Sequence, residues 1–260
     1  MTDQTGTPPA ALPELLAPDI TDLRHALREG WRDFMAQPLY GAFFAAVYVA
    51  GGWLLLLAFT VKGQVWWTLP AAAGFPILGP FIACGFYEIS RRREAGEGMA
   101  FTAIIGAVLR QKDRQIPSMA AVIVVFFLFW NFLSHMIFAL FLGKATMTNI
   151  TSSVAVFLTP EGLIMLAFGT AVGAVFATVL YALTVVSLPM LLDREVDFMT
   201  AMLTSFALVR DNPVVMLGWG AFIAVVLFLA MLPGFLGLFI ALPVLGHASW
   251  HLYRRTVAWF

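Results

Sequence analysis

The sequence predicts an all-α fold that crosses a membrane several times. Three observations carry that expectation: the composition, a set of long apolar stretches, and a one-sided placement of basic residues. Of 260 residues, 61% are hydrophobic and 12% charged. Soluble domains run at about 45–50% apolar and about 25% charged, so too little polar surface exists here to cover a soluble globule. The excess apolar surface has lipid as its solvent. Net charge is zero, which argues against nucleic acid as a partner. The single cysteine, Cys84, lies in an apolar run. It excludes an internal disulfide and reads as a buried thiol.

A span needs about 20 mostly apolar residues, because a helix rises about 1.5 Å per residue across about 30 Å of hydrocarbon. Six stretches meet this: Tyr40–Val61, Val65–Tyr87, Ser118–Leu142, Leu163–Leu192, Val214–Leu232 and Leu236–Leu252. Lys62-Gly63-Gln64 and Pro233-Gly234 turn the chain between the first and last pairs. The fourth stretch is long enough to tilt or to project beyond the bilayer. Residues 1–18 hold Pro8, Pro9, Pro13 and Pro18 and no signal-peptide core, and read as a disordered cytoplasmic tail. Residues 19–260 read as one six-helix transmembrane domain.

Thirteen of the fifteen basic residues fall on one side of these spans, with Lys62 and Lys144 on the other. The rich side is therefore expected in the cytoplasm, with both chain ends. Trp53, Trp66 and Trp67 suit the outer interface, and Trp31, Trp219 and Trp250 the inner one. The outer segment Gly143–Glu161 contains a sequon at Asn149, a match too short to carry weight.

The cytoplasmic connections are patterned. Ile20, Leu23, Leu27, Trp31 and Phe34 share one helical face. Phe101, Ile104, Ile105, Val108 and Leu109 repeat that spacing, as do Phe198, Met202, Ser205, Phe206 and Val209 after an N-cap at Asp197. Each segment is too short or too polar to span, so each is expected to lie on the inner leaflet. Each is followed by a proline, Pro38, Pro117 or Pro213, and then by a transmembrane hairpin. The second helix of every hairpin carries Pro-x-Leu, at Pro76, Pro189 and Pro243. The chain thus reads as three parallel units, about 19–95, 98–194 and 195–260.

Gly79-Pro80-Phe81, Phe86-Tyr87-Glu88-Ile89-Ser90-Arg91-Arg92, Leu192-Asp193-Arg194, Asp211-Asn212-Pro213 and the ending Gly246-His247-Ala248-Ser249-Trp250-His251-Leu252-Tyr253-Arg254-Arg255 carry a resemblance. Together they look like the proteobacterial integral-membrane family catalogued as domain of unknown function 2189. The resemblance implies a bacterial inner-membrane location and no activity. Some members carry a label relating them to subunit I of cytochrome c oxidase. A haem–copper core needs more histidine ligands than the four present here.

Ionisable groups at membrane depth default to functional candidates. His247 and His251 are four apart on one helical face, a spacing that permits shared metal ligation, but no other Cys, His or carboxylate pattern completes a set. No metal or other cofactor is expected. Glu88 is placed to pair with Arg91 or Arg92, or to serve at the cytoplasmic mouth. Gly169, Gly173 and Ala177 make a close-packing face on the fourth span, against this chain or another. A proline inside a helix frees a carbonyl, which in lipid must be satisfied by protein or a hydrated cavity. Pro76, Pro189 and Pro243 are therefore expected inside the bundle, with the second, fourth and sixth helices at its centre. Tyr87, Glu88, His247, Trp250 and His251 would then gather at its inner end as a candidate polar site.

No phosphate loop, zinc-protease motif or nucleophile elbow is present, and no catalytic role is expected. The preferred reading is a non-catalytic scaffold, assembly or membrane-homeostasis factor. Its partners are the lipid bilayer and either another membrane protein or a second copy. The alternative is a small-solute transporter or channel with its site at the inner end of the core.

Overall fold

The computed structural model describes residues 13–62, 68–143 and 154–259, without the side chains of 58–62, 68–75 and 154–155. The turn at Gly63-Gln64, Trp66, Trp67, Lys144, Asn149 and residues 1–12 of the expected tail lie outside the described residues. What is described is almost entirely helical. The helices are α1 (Ile20–Ala36), α2 (Pro38–Lys62), α3 (Thr68–Ala95), α4 (Phe101–Arg110), α5 (Ile116–Leu142), α6 (Pro160–Thr184), α7 (Ser187–Asp193), α8 (Phe198–Asp211), α9 (Pro213–Met231) and α10 (Leu238–Thr256). Side-chain caps start two of the short ones. Asp19 and Asp22 close a reciprocal capping box at α1. The Asp197 carboxylate accepts from the Thr200 amide at α8.

Among the described residues, four stretches are long and apolar enough to cross a membrane: Pro38–Leu57, Ile116–Leu142, Pro160–Asp193 and Pro213–Met231. The two other expected spans, in α3 and α10, are helical but less apolar. The described part of α3 ends in Glu88, Ser90, Arg91, Arg92, Arg93 and Glu94. The second half of α10 carries His247, Ser249, His251, Arg254 and Arg255.

Burial is concentrated at the end of the bundle that carries the arginines. In α2, Phe44, Ala45 and Val49 are buried while Trp53, Leu54, Leu56 and Leu57 are exposed. In α5, Ile116, Met119 and Ala120 are buried and Val125, Leu128, Phe129 and Phe132 exposed. In α9, Met216 and Trp219 are buried and Val225, Phe228 and Leu229 exposed. The main core thus sits at the basic end. A separate small cluster of Ile137, Leu142 and Met165 joins the far ends of α5 and α6.

The most enclosed long helix is α10, which packs on α1, α2, α3 and α9. Helix α1 lies antiparallel along its second half. The buried residues of α1 are Ala26, Gly30, Asp33 and Phe34; of the expected apolar face, Phe34 is buried and Leu23 and Leu27 pack on the core, while Ile20 and Trp31 are exposed. Small residues decide this, since Gly30 rests directly on the α10 backbone. Residues 14–16, within the expected tail, pair with the chain's other end. Glu14–Leu15 (β1) pairs antiparallel with Val257–Ala258 (β2), and the Leu16 amide donates to the Thr256 carbonyl at 2.9 Å.

The fourth expected helix is broken. α6 stops at Thr184 and α7 starts at Ser187, with buried Pro189 in its first turn. Proline has no amide to donate to Val185, so the ladder fails there. Ser205 of α8 fills the gap. Its hydroxyl donates to the Ala182 carbonyl at 2.7 Å and accepts from the Val186 amide at 3.3 Å. One buried side chain thus replaces the missing bond between Ala182 and Val186. Ser205→Ala is expected to leave both groups unpaired and to lower stability by about 2 kcal/mol, read as a fall in the thermal midpoint of the detergent-solubilised protein.

Pro243 is buried and packs against Gly41, and Pro76 is partly buried. α3, α7 and α10 meet at the basic end, but α6 packs on α5 and α8. The expected central position of the whole fourth helix therefore does not hold, because its break separates the enclosed α7 from the exposed α6. Gly169 and Gly173 of the small face of α6 pack against α5, while Ala177 is exposed. A Cβ on Gly173 would lie 3.0 Å from Trp130, and one on Gly169 3.8 Å from Ile137. Among the short helices, α1 packs on α10, α4 on α3, and α8 on α6 and α7.

Candidate functional site

Three helices meet where small residues allow it. A Cβ on Gly30 of α1 would stand 2.7 Å from both the Ala248 amide nitrogen and the Val244 carbonyl oxygen of α10. A Cβ on Gly246 would stand 2.6 Å from the Phe86 ring of α3. This closeness sets His247 against the Phe86 carbonyl and brings Asp33 of α1 to both neighbours.

The result is a buried chain of polar groups. Asp33 Oδ2 accepts from Ser90 Oγ at 2.6 Å and from His251 Nε2 at 2.8 Å. Arg93 Nε approaches Asp33 Oδ1 at 3.0 Å. His247 Nδ1 lies 2.9 Å from Ser90 Oγ and 3.0 Å from the Phe86 carbonyl. A carbonyl only accepts, so the bonding pattern assigns the proton to Nδ1. Nε2 of His247 is then an acceptor, buried and with no hydrogen-bond partner among the described residues. Burial would raise the Asp33 carboxyl, but hydrogen bonds from His251 and Ser90, with the nearby imidazoles, outweigh it and hold the group below its ordinary 3.8.

Ser90, His247 and Asp33 are the residue types of a hydrolytic triad, but their wiring differs. The Ser90 hydroxyl donates to the carboxylate rather than to an imidazole, so no base activates it. Among the described residues, no group of three or more His, Cys, Asp or Glu is placed to hold a metal ion. What this arrangement does is fasten α1 to α3 and α10.

The other expected site residues divide around it. Glu88 is buried and accepts from Arg92 Nε at 2.6 Å and from Arg91 Nε and Nη2 at 2.8 and 3.0 Å. Arg91 continues to Glu97, so this cluster braces the end of α3 and the turn after it. The Trp250 indole donates to Glu94 at 3.1 Å, and Glu94 also meets Arg254. The Tyr253 hydroxyl donates to Asp193 at 2.8 Å, which ties α10 to α7. Tyr87 is buried in the apolar core. Of the expected five, His247 and His251 therefore share one network, while Glu88 and Trp250 bond elsewhere.

Asp33 and Ser90 were not anticipated as site residues. The available signal was the stripe Ala26, Gly30, Asp33, Phe34, which places a carboxylate on the small-residue face of α1.

No curated protein and no solved structure matches the chain. The matched family segment starts at α3 and ends with α7, so it includes Glu88, Ser90 and Asp193 but not Asp33, His247 or His251. It is narrower than the resemblance, which drew on residues 246–255 as well. Over residues 68–193 the chain matches the family described as a predicted integral membrane protein, domain of unknown function 2189.

Proposed function

We propose that this chain is a non-catalytic factor of a bacterial inner membrane, working through contacts with lipid and other membrane helices rather than by passing a solute. The observation that carries this reading is the character of two cavities at span depth among the described residues. One, of about 310 Å³ between α5 and α6, is walled by Trp130, Ile137, Phe138, Met165 and neighbours, with Ser134 and Thr170 as its only hydroxyls. Another, of about 410 Å³, lies among Tyr48, Gly52, Leu55, Leu56, Met231, Phe235 and Leu238, mostly apolar with Tyr48 bringing a hydroxyl to its lining. A solute path needs polar groups turned toward a hydrated cavity. Here the buried charges turn toward one another at the basic end.

The basic end belongs in the cytoplasm in this reading, since thirteen of fifteen basic residues gather on that side. Six spans in three units are supported by element order, with Pro38, Pro117 and Pro213 opening α2, α5 and α9. Packing agrees. The short helix of each unit rests on the last helix of the unit before it, and α1 closes the ring on α10. A second reading, a small-solute transporter, draws on the unpartnered Nε2 of His247. Purification in mild detergent followed by native mass spectrometry tests both. Retained phospholipid or a protein partner is expected. A stoichiometric small metabolite released on unfolding would contradict the proposal and favour transport.

A further inference from the structure

We infer that the mixed-charge pocket between the start of α5 and the link from α7 to α8 binds the phosphoethanolamine headgroup of a membrane lipid. The pocket, of about 310 Å³, is walled by Arg114, Gln115, Arg194, Glu195 and Asp197, with buried Leu191 and Val196 beneath. Arg114 and Gln115 immediately precede the candidate span Ile116–Leu142, and Arg194 immediately follows the candidate span Pro160–Asp193. The pocket therefore lies between the basic-side ends of two spans, at the level where a bilayer carries its headgroups. The inference rests on the reading of this chain as a factor that works through lipid contacts.

The charges that wall the pocket are unequally matched within the chain. Arg194 Nε stands 3.4 Å from Asp193 Oδ2, and its guanidinium lies over the Trp259 ring at 5.5 Å from the centre. Asp197 accepts from the Thr200 amide as the cap of α8. Arg114 and Glu195 remain. The Arg114 guanidinium donates to the carbonyls of Leu192 and Arg194 at 3.3 and 2.9 Å. Those bonds fix its position but supply no carboxylate to balance its charge. The Glu195 carboxylate makes no hydrogen bond or ion pair among the described residues. Two opposite charges thus line one cavity without pairing with each other.

A ligand that answers both carries an anion and a cation joined by a short link. A guanidinium already held in position suits phosphate oxygens, and the Gln115 amide adds a donor beside it. A carboxylate suits a primary ammonium. Phosphoethanolamine has one of each and no net charge, and the walls, with Arg114 and Arg194 against Glu195 and Asp197, have none either. A headgroup with a phosphate alone would satisfy Arg114 but would set a second anion against Glu195. The position between two span ends favours a headgroup already fixed in the bilayer over a free solute.

Native mass spectrometry of the full chain in detergent tests the assignment, with phosphatidylethanolamine and phosphatidylglycerol of the same acyl chains added in turn. Both lipids carry the phosphate, and only the first carries an ammonium. The expected result is one phosphatidylethanolamine per chain, held about fivefold more tightly than phosphatidylglycerol, the worth of a partly exposed ion pair. In Glu195→Gln that preference should vanish. The substitution removes no hydrogen bond or ion pair among the described residues, so the fold should stand. Glu161→Gln, at the far end of α6, should keep the preference. Soluble glycerophosphoethanolamine, which has the headgroup without acyl chains, should displace the lipid only in large excess. Displacement at equal concentration would overturn the proposal in favour of a free solute. Equal binding of the two lipids, or a preference that survives Glu195→Gln, would overturn it and leave the lipid reading standing. A chain that holds no phospholipid at all would overturn both.

Discussion

Gly30→Ala is expected to lower the stability of the folded protein by about 3 kcal/mol, at the upper end of ordinary overpacking. The new methyl would fall 2.7 Å from the Ala248 amide nitrogen and the Val244 carbonyl oxygen, and 3.0 Å from the Ala248 Cα. All three are backbone atoms of α10, so no side chain can rotate away. Either α1 retreats or α10 bends, and both movements pull Asp33 from Ser90 and His251. Gly218→Ala is the control. Nothing stands within 4 Å of its added Cβ, and alanine favours a helix over glycine by about 1 kcal/mol, so that variant should be as stable as the parent or more so. Thermal unfolding in detergent, followed by loss of the monodisperse peak, reads both.

Asp33→Ala is expected to be at least as damaging. Removing one partner of a buried ion pair costs about 3–5 kcal/mol. The lower end applies because side chains of His251 and Arg93 are 15% and 30% exposed and can reach water. Ser90 is fully buried and has no such recourse. Acid should mimic the substitution. The Asp33 carboxyl is held below 3.8 in the folded state, so its contribution is complete above that value and is lost as pH falls through the lowered one. In the parent, the thermal midpoint should drop more steeply below about pH 4 than in Asp33→Asn, which has no carboxyl to protonate. Equal pH profiles for the two would show that Asp33 is not paired as described.

Helix identity and order were legible in the sequence because each element carries its own local signal. The cap at Asp197, prolines at 38, 117 and 213, and long apolar runs sit within a few residues of the structure they specify. The break at Val185–Val186 was half legible. Pro189 announces a lost hydrogen bond, but the apolar run through it conceals the interruption, and the repair comes from Ser205 on another helix. The one-sided core was not legible. Apolar residues fill both halves of the spans, and only tertiary packing decides which half faces protein and which faces lipid. In α1, hydrophobic spacing favoured the face of Ile20 and Trp31, whereas close approach to α10 selected the face of Ala26 and Gly30. That choice hid Asp33, and with it the link between His251 and Ser90. The i, i+4 spacing of His247 and His251 did place both imidazoles in one network. The same kind of local reasoning could not show that Trp250 would turn to Glu94.

The buried polar chain at the basic end is a lock, in which Asp33 and His251 stabilise the fold through each other. A double-mutant cycle measures this directly, using Asp33→Asn, His251→Gln and the pair, each followed by thermal unfolding in the same detergent. A lock gives a coupling of at least about 1 kcal/mol, with the double variant less destabilised than the sum of the two singles. Additive losses would mean that the two residues act independently, and the account of how α1 is held to α3 and α10 would be wrong.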